Sequence, residues 1–286
     1  MKSGFRRLLG WVLFSLLTST VANAQFLDNP RGLAMGALTA DPIGTAAVMY
    51  NPAGLSKAYL YQVDMIYLRN APGDLNVAGF SIADSKSNSE LAMGISYGFH
   101  FSDEKAPMEE RGHDARLAFS RPVIGDRLFL GLGLRYLDIE KGTEGLSGFT
   151  ADAGLLLSVS KEFHLGLIGK NLFKIDDPLV SRKVGGGIAL TGQSLTLTSD
   201  VLVDLDRHEE GAKPIFAVGL ESLAGGTVPL RIGYTNDQVT EHHLLGGGVG
   251  FILQDGGGNG QLMISYRQNL TETEFYIVTL GLTMFL

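Results

Sequence analysis

The stretch Asp126–Glu140, DRLFLGLGLRYLDIE, alternates two kinds of side chain along its whole length. One face of the extended chain carries Leu128, Leu130, Leu132, Leu134 and Tyr136, and the other carries Arg127, Phe129, Gly131, Gly133 and Arg135. Side chains of a strand point alternately to opposite faces, so this period of two predicts a β-strand. Crossing a bilayer at a tilt takes about 9–11 residues, whereas strands of soluble proteins usually have about 5–6. The length therefore favours a membrane-spanning strand.

The same alternation recurs near Ser194–Asp206 and Tyr276–Leu286, and one face of these strands carries charge. The charged residues predicted to share that face are Arg135, Asp152, Asp200, Asp204, Arg231 and Arg267. A dry protein core rarely accepts such groups, but the wet lumen of a barrel does. We therefore predict that they line a lumen, with Arg231 and Arg267 as partners for Asp200, Asp204 and Asp206. They form either a charged constriction that selects solutes or binds a plug, or scattered ion pairs in a solvated interior.

Fourteen segments of this kind follow one another to the end of the chain. They cover 58–69, 73–84, 89–101, 112–120, 126–140, 147–160, 162–172, 181–191, 193–206, 213–222, 228–236, 241–253, 260–269 and 274–286. Single-chain bacterial barrels have an even number of strands, and an open sheet edge in lipid would leave backbone groups without partners. The predicted fold class is all-β, a closed transmembrane antiparallel β-barrel of about fourteen strands.

The segment before the barrel starts with an export signal. Residues 1–24 combine Lys2, Arg6 and Arg7 with an apolar run and the ending Ala22-Asn23-Ala24, the pattern of a secretory signal peptide. We expect cleavage before Gln25 and a place in a bacterial outer membrane. Loss of the three basic residues lowers the net charge from −7 to −10, which argues against a nucleic-acid partner. The chain has no cysteine, so disulfides and thiolate metal sites are excluded.

Between the signal peptide and the first strand lies Arg31–Leu55, RGLAMGALTADPIGTAAVMYNPAGL, which is rich in glycine and alanine. Small side chains let one backbone approach another closely, as a segment inside a narrow cavity requires. Pro52 disfavours a helical Asn51, so a turn is expected there. We predict that 25–57 forms a compact hatch inside the barrel and that 58–286 forms the barrel itself.

Motifs for chemistry are missing from the sequence. The adjacent pair His242-His243 would point to opposite faces of a strand, so a metal site there is not expected. The glycine runs 185–187 and 246–248 lack the ending of a P-loop, and in strands they allow bends or close approach of the hatch. Neither a nucleophile elbow nor a helical zinc motif is present. The sequence predicts no enzyme and no cofactor.

Two short motifs of the hatch resemble a known group of proteins. Arg31-Gly32-Leu33-Ala34-Met35-Gly36-Ala37, Asp41 and then Tyr50-Asn51-Pro52-Ala53-Gly54-Leu55 resemble the N-terminus of PorV/PorQ-type proteins, within the fatty-acid-transporter (FadL-like) superfamily of outer-membrane barrels. Gly166–Leu172, GLIGKNL, is similar to the same group. The resemblance implies a hatch whose motif residues are Arg31, Met35, Gly36, Asp41, Asn51, Pro52, Ala53 and Gly54. The last strand, 279–286, resembles the signal that bacterial barrel-assembly machinery recognises.

The resemblance leaves two functions open. The first is a non-enzymatic subunit or docking platform of a cell-envelope machine for secretion or gliding motility, with envelope or surface protein partners in a setting of outer-membrane lipid. The alternative is a passive channel for small hydrophobic compounds. All outward connections predicted from the strand count are short, which leaves little material for a ligand-capturing surface of loops.

Overall fold

The computed structural model describes residues 26–71, 74–104, 106, 109–177, 180–206, 213–255 and 258–286. The predicted signal peptide, 1–24, lies outside these residues. The strands are β1 Tyr61–Ala71, β2 Leu75–Asp84, β3 Ala92–Ser102, β4 Glu110–Ile124, β5 Leu128–Lys141, β6 Glu144–Ser158, β7 Phe163–Lys170, β8 Lys183–Thr191, β9 Leu195–Asp204, β10 Pro214–Ala224, β11 Val228–Asp237, β12 His242–Asp255, β13 Gly258–Asn269 and β14 Tyr276–Phe285.

These fourteen strands form one closed antiparallel barrel. Each strand pairs with its neighbour in the chain, and β1 closes the sheet by pairing with β14, with Tyr67 opposite Leu280. Leu130, Leu132 and Leu134 of β5 are exposed on the outside of the barrel. Arg135, on the opposite face of the same strand, is buried inside. An apolar exterior around a polar interior is the arrangement of a membrane barrel. The predicted fold class is confirmed.

Strand ends differ from the prediction where tertiary contacts decide them. β4 runs from Glu110 to Ile124, longer than the predicted 112–120, because β5 pairs with it along its whole length. β7 stops at Lys170 rather than at 172. Asn171 has a positive φ of 54°, and its N–H donates to the carboxylate of Asp152 at 2.7 Å. That bond turns the chain away from the sheet.

Both ends of the barrel emerge at one rim because the strand number is even. We call it the terminal rim; it holds the start of β1 and the end of β14, and the other end of the barrel is the opposite rim. Towards the opposite rim the outer surface carries tyrosines with hydrogen-bonded hydroxyls. The Oη atom of Tyr97 lies 2.7 Å from His113 Nδ1, and that of Tyr234 lies 2.6 Å from His243 Nδ1. Such amphipathic rings suit the boundary between lipid and water.

The hatch lies inside the barrel and consists of three short helices. These are α1 Pro30–Met35, α2 Thr45–Tyr50 and a 3₁₀ helix Pro52–Lys57. Asn29 caps the start of α1 by accepting from the Arg31 N–H at 2.9 Å. Gly36 ends α1 with a φ of 74°, a left-handed conformation that glycine adopts without strain. Asn51 is extended between α2 and the 3₁₀ helix, at the predicted turn.

The hatch has a small apolar core of its own and an apolar contact with the strands of the barrel, which we call the wall. Met35, Leu38 and Ala46 pack together against Tyr50 between α1 and α2. Val48 and Leu55 pack against small wall residues, among them Ala83, Ala92 and Ala118. Small side chains on both surfaces bring the two backbones close, and this apolar burial holds the hatch across the lumen.

Candidate functional site

Wall glycines give the hatch backbone room. A Cβ atom on Gly131 of β5 would lie 2.1 Å from the Ala53 backbone nitrogen, and one on Gly233 of β11 would lie 2.1 Å from the Met35 carbonyl oxygen. Both distances are far inside van der Waals contact, and the atoms they meet are backbone rather than flexible side chain. The hatch is therefore fitted to a surface that only glycine leaves open. The second predicted glycine run belongs to that surface, because Gly246 faces the Ala34 carbonyl.

Ion pairs fix the hatch near the terminal rim. Arg31 donates to the Asp41 carboxylate at 2.6 Å and to the Asp41 carbonyl at 2.7 Å. It also reaches Glu221 of β10 at 3.2 Å, so it joins the hatch to the wall. Lys57 pairs with the second oxygen of Asp41, and Arg231 of β11 pairs with Glu221. Three cations and two carboxylates thus form one buried network, which we call the ion latch (Arg31, Asp41, Lys57, Glu221, Arg231).

The charge of Asp41 is set by this network. Burial alone opposes ionisation of the carboxyl, but the nearby charges of Arg31 and then Lys57 outweigh it and hold the pKa of Asp41 below its usual value. Burial lowers the pKa of Lys57, and Asp41 offsets part of that effect. Asp41 is therefore an anion at neutral pH and is held by two cations of the hatch itself.

A second anchor is Asp200 on β9, deep in the barrel. One of its carboxylate oxygens accepts from the backbone N–H groups of Leu38 and Thr39, both at 2.9 Å, and from the Thr39 hydroxyl at 2.8 Å. The prediction that Arg231 or Arg267 pairs with Asp200 is wrong. Carboxylates bind backbone N–H groups strongly, and the hatch loop after α1 brings two of these groups to Asp200. Of the two roles predicted for Asp200, pairing with a lumen arginine or binding the plug, the structure shows contact with the plug, here the hatch.

Asn51 bonds within the hatch and to two strands of the wall. Its amide nitrogen donates to the carbonyl of Thr39 at 2.9 Å, and to the wall carbonyls of Leu155 at 3.3 Å and Leu167 at 3.2 Å. Its side-chain oxygen accepts from the Ala53 N–H at 3.2 Å, so it caps the 3₁₀ helix. A side chain with both a donor and an acceptor is needed for these contacts, and Asn51 has both.

Two wall cations bind the carbonyl ends of hatch helices. Arg267 of β13 donates to the carbonyls of Leu33 at 2.9 Å and Gly32 at 3.0 Å, within α1. Lys170 of β7 donates to the Met49 carbonyl at 2.9 Å, within α2. The last carbonyls of a helix carry partial negative charge, so cations stabilise them. The Gly32 carbonyl also accepts from the Gly36 N–H at 2.8 Å. Arg267 therefore binds the hatch and not the carboxylates that the sequence suggested.

The other predicted lumen charges lie closer to the opposite rim. Arg135 makes a bidentate pair with Asp114 of β4, at 2.8 and 2.9 Å, and its guanidinium covers the ring of Phe26 at 4.0 Å. Asp152 accepts from Asn171, as described above, and Asp204 accepts from the Asp206 N–H at 3.0 Å. Asp206 itself lies at the rim and pairs with Arg182 at 2.7 Å.

The remaining motif residues of the hatch are structural. Met35 is fully buried against Gly233, and Pro52 opens the 3₁₀ helix. A Cβ atom on Gly54 would lie 2.2 Å from the Pro42 carbonyl oxygen, so the hatch folds tightly on itself there. The structure thus brings the predicted motif residues together in the lumen.

Sequence reasoning missed three residues that hold the hatch or support its neighbours. They are Glu221 in the ion latch, Lys170 on α2 and Asp114 beneath Arg135. Each falls on the inward phase of its strand, so the alternation that placed Arg135 was also available for these three. The hatch partners of Glu221 and Lys170 were not predictable, because those contacts join residues far apart in sequence.

Described residues line a cavity inside the barrel on each side of the hatch. The cavity towards the opposite rim has a volume of about 380 Å³, and the one towards the terminal rim has about 330 Å³. α2 contributes Met49 and Tyr50 to the first and Ala46 to the second, so it forms part of the partition. We call them the upper cavity and the lower cavity.

The upper cavity has a mixed lining. Its apolar side chains are Phe26, Leu27, Met49, Leu202, Ile215 and Leu244, and its cations are Arg116, Arg135, Lys170, Lys183 and Arg267. His242 also lines it, whereas His243 lies outside the barrel against Tyr234. Among the residues that the structure describes, no three His, Cys, Asp or Glu side chains are placed to hold a metal ion. Nor does the described part of the chain contain a helix long and apolar enough to cross a membrane.

Comparisons with known proteins give a match in structure only. No protein-family model matches the chain, and no curated protein matches its sequence. The CymD monoaromatic hydrocarbon channel aligns with 90% of this chain and 96% of its own, at a TM-score of 0.65 and 11% identity. The P. putida toluene transporter TodX aligns with 90% of this chain and 97% of its own, at a TM-score of 0.63 and 10% identity. A Pseudomonas aeruginosa FadL homologue aligns with 90% of this chain and 97% of its own, at a TM-score of 0.60 and 9% identity. At such identities the likeness establishes the fold alone.

Proposed function

We propose that this chain is a non-enzymatic channel of a bacterial outer membrane through which small hydrophobic compounds pass passively. The observation that carries the proposal is the division of a closed barrel by the hatch into an upper and a lower cavity. Cavities of this size, near the lower end of ligand pockets in proteins, suit small molecules. Leu27, Met49 and Leu202 give the upper cavity an apolar surface for them.

The likeness of fold supports this function over the alternatives. Two proteins that share the fold over nine-tenths of this chain are described as a monoaromatic hydrocarbon channel and a toluene transporter. The hatch blocks a simple water-filled pore, which suits selective passage better than general diffusion. The proposal includes export through a cleaved signal peptide, contact with outer-membrane lipid and insertion by the barrel-assembly machinery.

Uptake by cells tests the proposal. Labelled toluene uptake is measured in a Gram-negative host that expresses the chain, after fractionation has located it in the outer membrane. Leu202 faces the upper cavity, whereas Val201 on the same strand faces outward and is 40% exposed. We expect Leu202→Trp to lower uptake several-fold by filling the cavity and Val201→Trp to leave it unchanged. Uptake no faster than in cells with an empty vector contradicts the channel function.

A second candidate is the docking platform for a secretion or motility machine, of the PorV/PorQ type. It is favoured by the short connections at the opposite rim, such as Gln238–Glu241 between β11 and β12. A rim with short loops is a suitable surface for another protein. A pull-down of the tagged protein from its native membrane in mild detergent separates the two functions. Envelope proteins at a constant ratio support the platform, whereas the chain alone with bound apolar molecules supports the channel.

A further inference from the structure

A buried pair of an acid and a histidine lies inside the barrel near the opposite rim. Glu110, the first residue of β4, is 5% exposed, and His100 of β3 is fully buried. The Glu110 Oε1 atom lies 3.6 Å from His100 Nδ1, which is too far for a hydrogen bond. Among the described residues, neither that oxygen nor either ring nitrogen of His100 has a hydrogen-bond partner.

The Glu110 carboxylate therefore lacks a donor and a positive charge. Burying a charged group without a partner is costly, and native proteins satisfy nearly all buried polar atoms. Within the described part of the chain, His100 is the one basic side chain within 4 Å of this carboxylate. Arg135 is already bound to the Asp114 carboxylate through two hydrogen bonds. A further cation at Glu110 would satisfy the oxygen.

Phe26 brings the start of the predicted mature chain to this pair. Its ring packs edge-on against the His100 ring, with centroids 6.1 Å apart, and the Arg135 guanidinium lies over it at 4.0 Å. It also packs against four buried apolar residues, Leu137, Ile139, Leu146 and Val180. Successive Cα atoms are about 3.8 Å apart. A chain that starts at Gln25 therefore has its amino group one residue away from these contacts.

We propose that Glu110 and His100 form the binding site for the α-ammonium group that signal-peptide cleavage creates on Gln25. An α-amino group is a cation at neutral pH. Its N–H groups donate to Glu110 Oε1 and to the unprotonated ring nitrogen of His100. Before cleavage the same nitrogen belongs to a neutral amide, so the contact forms only in the mature chain. This inference rests on the export through a cleaved signal peptide that is part of the proposed function.

The rate of amine labelling tests the site. The mature chain in lipid nanodiscs is dimethylated at pH 7 with formaldehyde and cyanoborohydride, and the folded barrel is isolated by its mobility in gel electrophoresis. Trypsin then releases the peptide 25–31, in which mass spectrometry measures the labelled fraction over time. A bound ammonium reacts slowly, because only a free, unprotonated amine attacks formaldehyde. We expect Glu110→Gln to speed labelling about tenfold, since a hydrogen bond to a charged group is lost. His100→Phe should speed it several-fold.

Glu109→Gln is the matched control. Glu109 is the preceding residue and is exposed, so loss of its charge should leave the labelling rate unchanged, and exposed Lys161 reports the activity of the reagent in each sample. Equal rates in Glu110→Gln and the unchanged protein overturn the proposal. So does a Gln25 that has cyclised with loss of ammonia, because it has no amine to bind. A chain that keeps its signal peptide refutes both the site and the proposed export. Toluene uptake is scored separately, so absent uptake with a protected amine refutes the channel and retains the site.

Discussion

At the scale of single residues, Gly131 and Gly133 show how closely the hatch fits the wall. Both face inward on β5, two positions apart, but a Cβ atom on Gly131 would overlap the Ala53 backbone, whereas one on Gly133 would meet only Asp152 Cβ, at 3.4 Å. We expect Gly131→Ala to displace the hatch or lower the stability by more than about 1 kcal/mol, as overpacking of a core does. Urea unfolding, followed by the mobility of the folded barrel in gel electrophoresis, measures this effect.

Gly133→Ala is the matched control for that prediction. It makes the same change on the same face of the same strand, and its new methyl group enters ordinary van der Waals contact. Its effect should stay within about 0.5 kcal/mol. Equal effects of the two substitutions would contradict the close approach of Ala53 to Gly131 and would assign the loss to the strand itself.

Asp200 is the residue whose loss should loosen the hatch most directly. Asp200→Ala removes the acceptor of the Leu38 and Thr39 N–H groups and leaves both donors buried. Each buried donor without a partner costs about 1–3 kcal/mol, so we expect several kcal/mol less stability and faster proteolysis after α1. Limited proteolysis with mass spectrometry of the fragments locates the cut.

Asp206→Ala serves as the control for Asp200→Ala, since it removes a carboxylate of the same strand region at the rim. Its partner Arg182 is exposed, and exposed ion pairs contribute about 0–1 kcal/mol. A hatch that resists protease equally in both variants would show that Asp200 does not anchor it.

At the scale of elements, the ion latch holds the hatch by charge, so this contact should be lost in strong acid. The pKa of Asp41 is lowered in the folded protein, so its stabilising effect is full above its unfolded pKa of about 4 and is lost as the pH falls through the lower folded value. Arg31 and Lys57 stay charged at these pH values. We expect conductance in planar bilayers to rise as the pH falls below about 4, because the ion latch then loses the charge of Asp41.

Asp41→Asn gives an independent check of that pH dependence. The amide cannot ionise, so the variant should conduct more than the unchanged protein at pH 7. Asp41→Asn that conducts at pH 7 no more than the unchanged protein would contradict the role of Asp41 in the ion latch.

The strands and the hatch could be predicted from the sequence, but their contacts could not. The alternation around Leu132 and Arg135 predicted that this segment is a strand, which of its faces points outward, and that the fold is a barrel. It did so because a strand has only two faces and lipid accepts only the apolar one. The small residues of 25–57 predicted a segment that fits a narrow space. The partners of Asp200 and Arg267 were not predictable, because they bind hatch backbone atoms, and a sequence does not state which carbonyl or N–H a folded loop will present.

At the scale of the whole molecule, the two cavities and the partition between them raise the question of how a solute passes. α2 separates the cavities, and Asp200, the ion latch and Arg267 hold the hatch to β9, β10–β11 and β13 of the wall. A solute that reaches the lower cavity from the upper one requires the hatch to shift. If passage occurs by this route, a hatch that is covalently fixed to the wall must block it.

The absence of cysteine from the chain allows such a crosslink to be made cleanly. A Cβ atom on Gly36, at the end of α1, would lie 3.8 Å from Ala217 Cβ on β10, the usual Cβ separation of a disulfide. It would also lie 2.6 Å from Thr235 Oγ1, so the Thr235 side chain must rotate away. We expect the double variant Gly36→Cys, Ala217→Cys to take up toluene when reduced and to lose most uptake when oxidised. The single variants should respond to neither treatment, which controls for the left-handed φ of Gly36. Equal uptake by the oxidised and reduced double variant would mean that solutes leave the barrel without moving the hatch, and the exit would then have to lie in the wall above it.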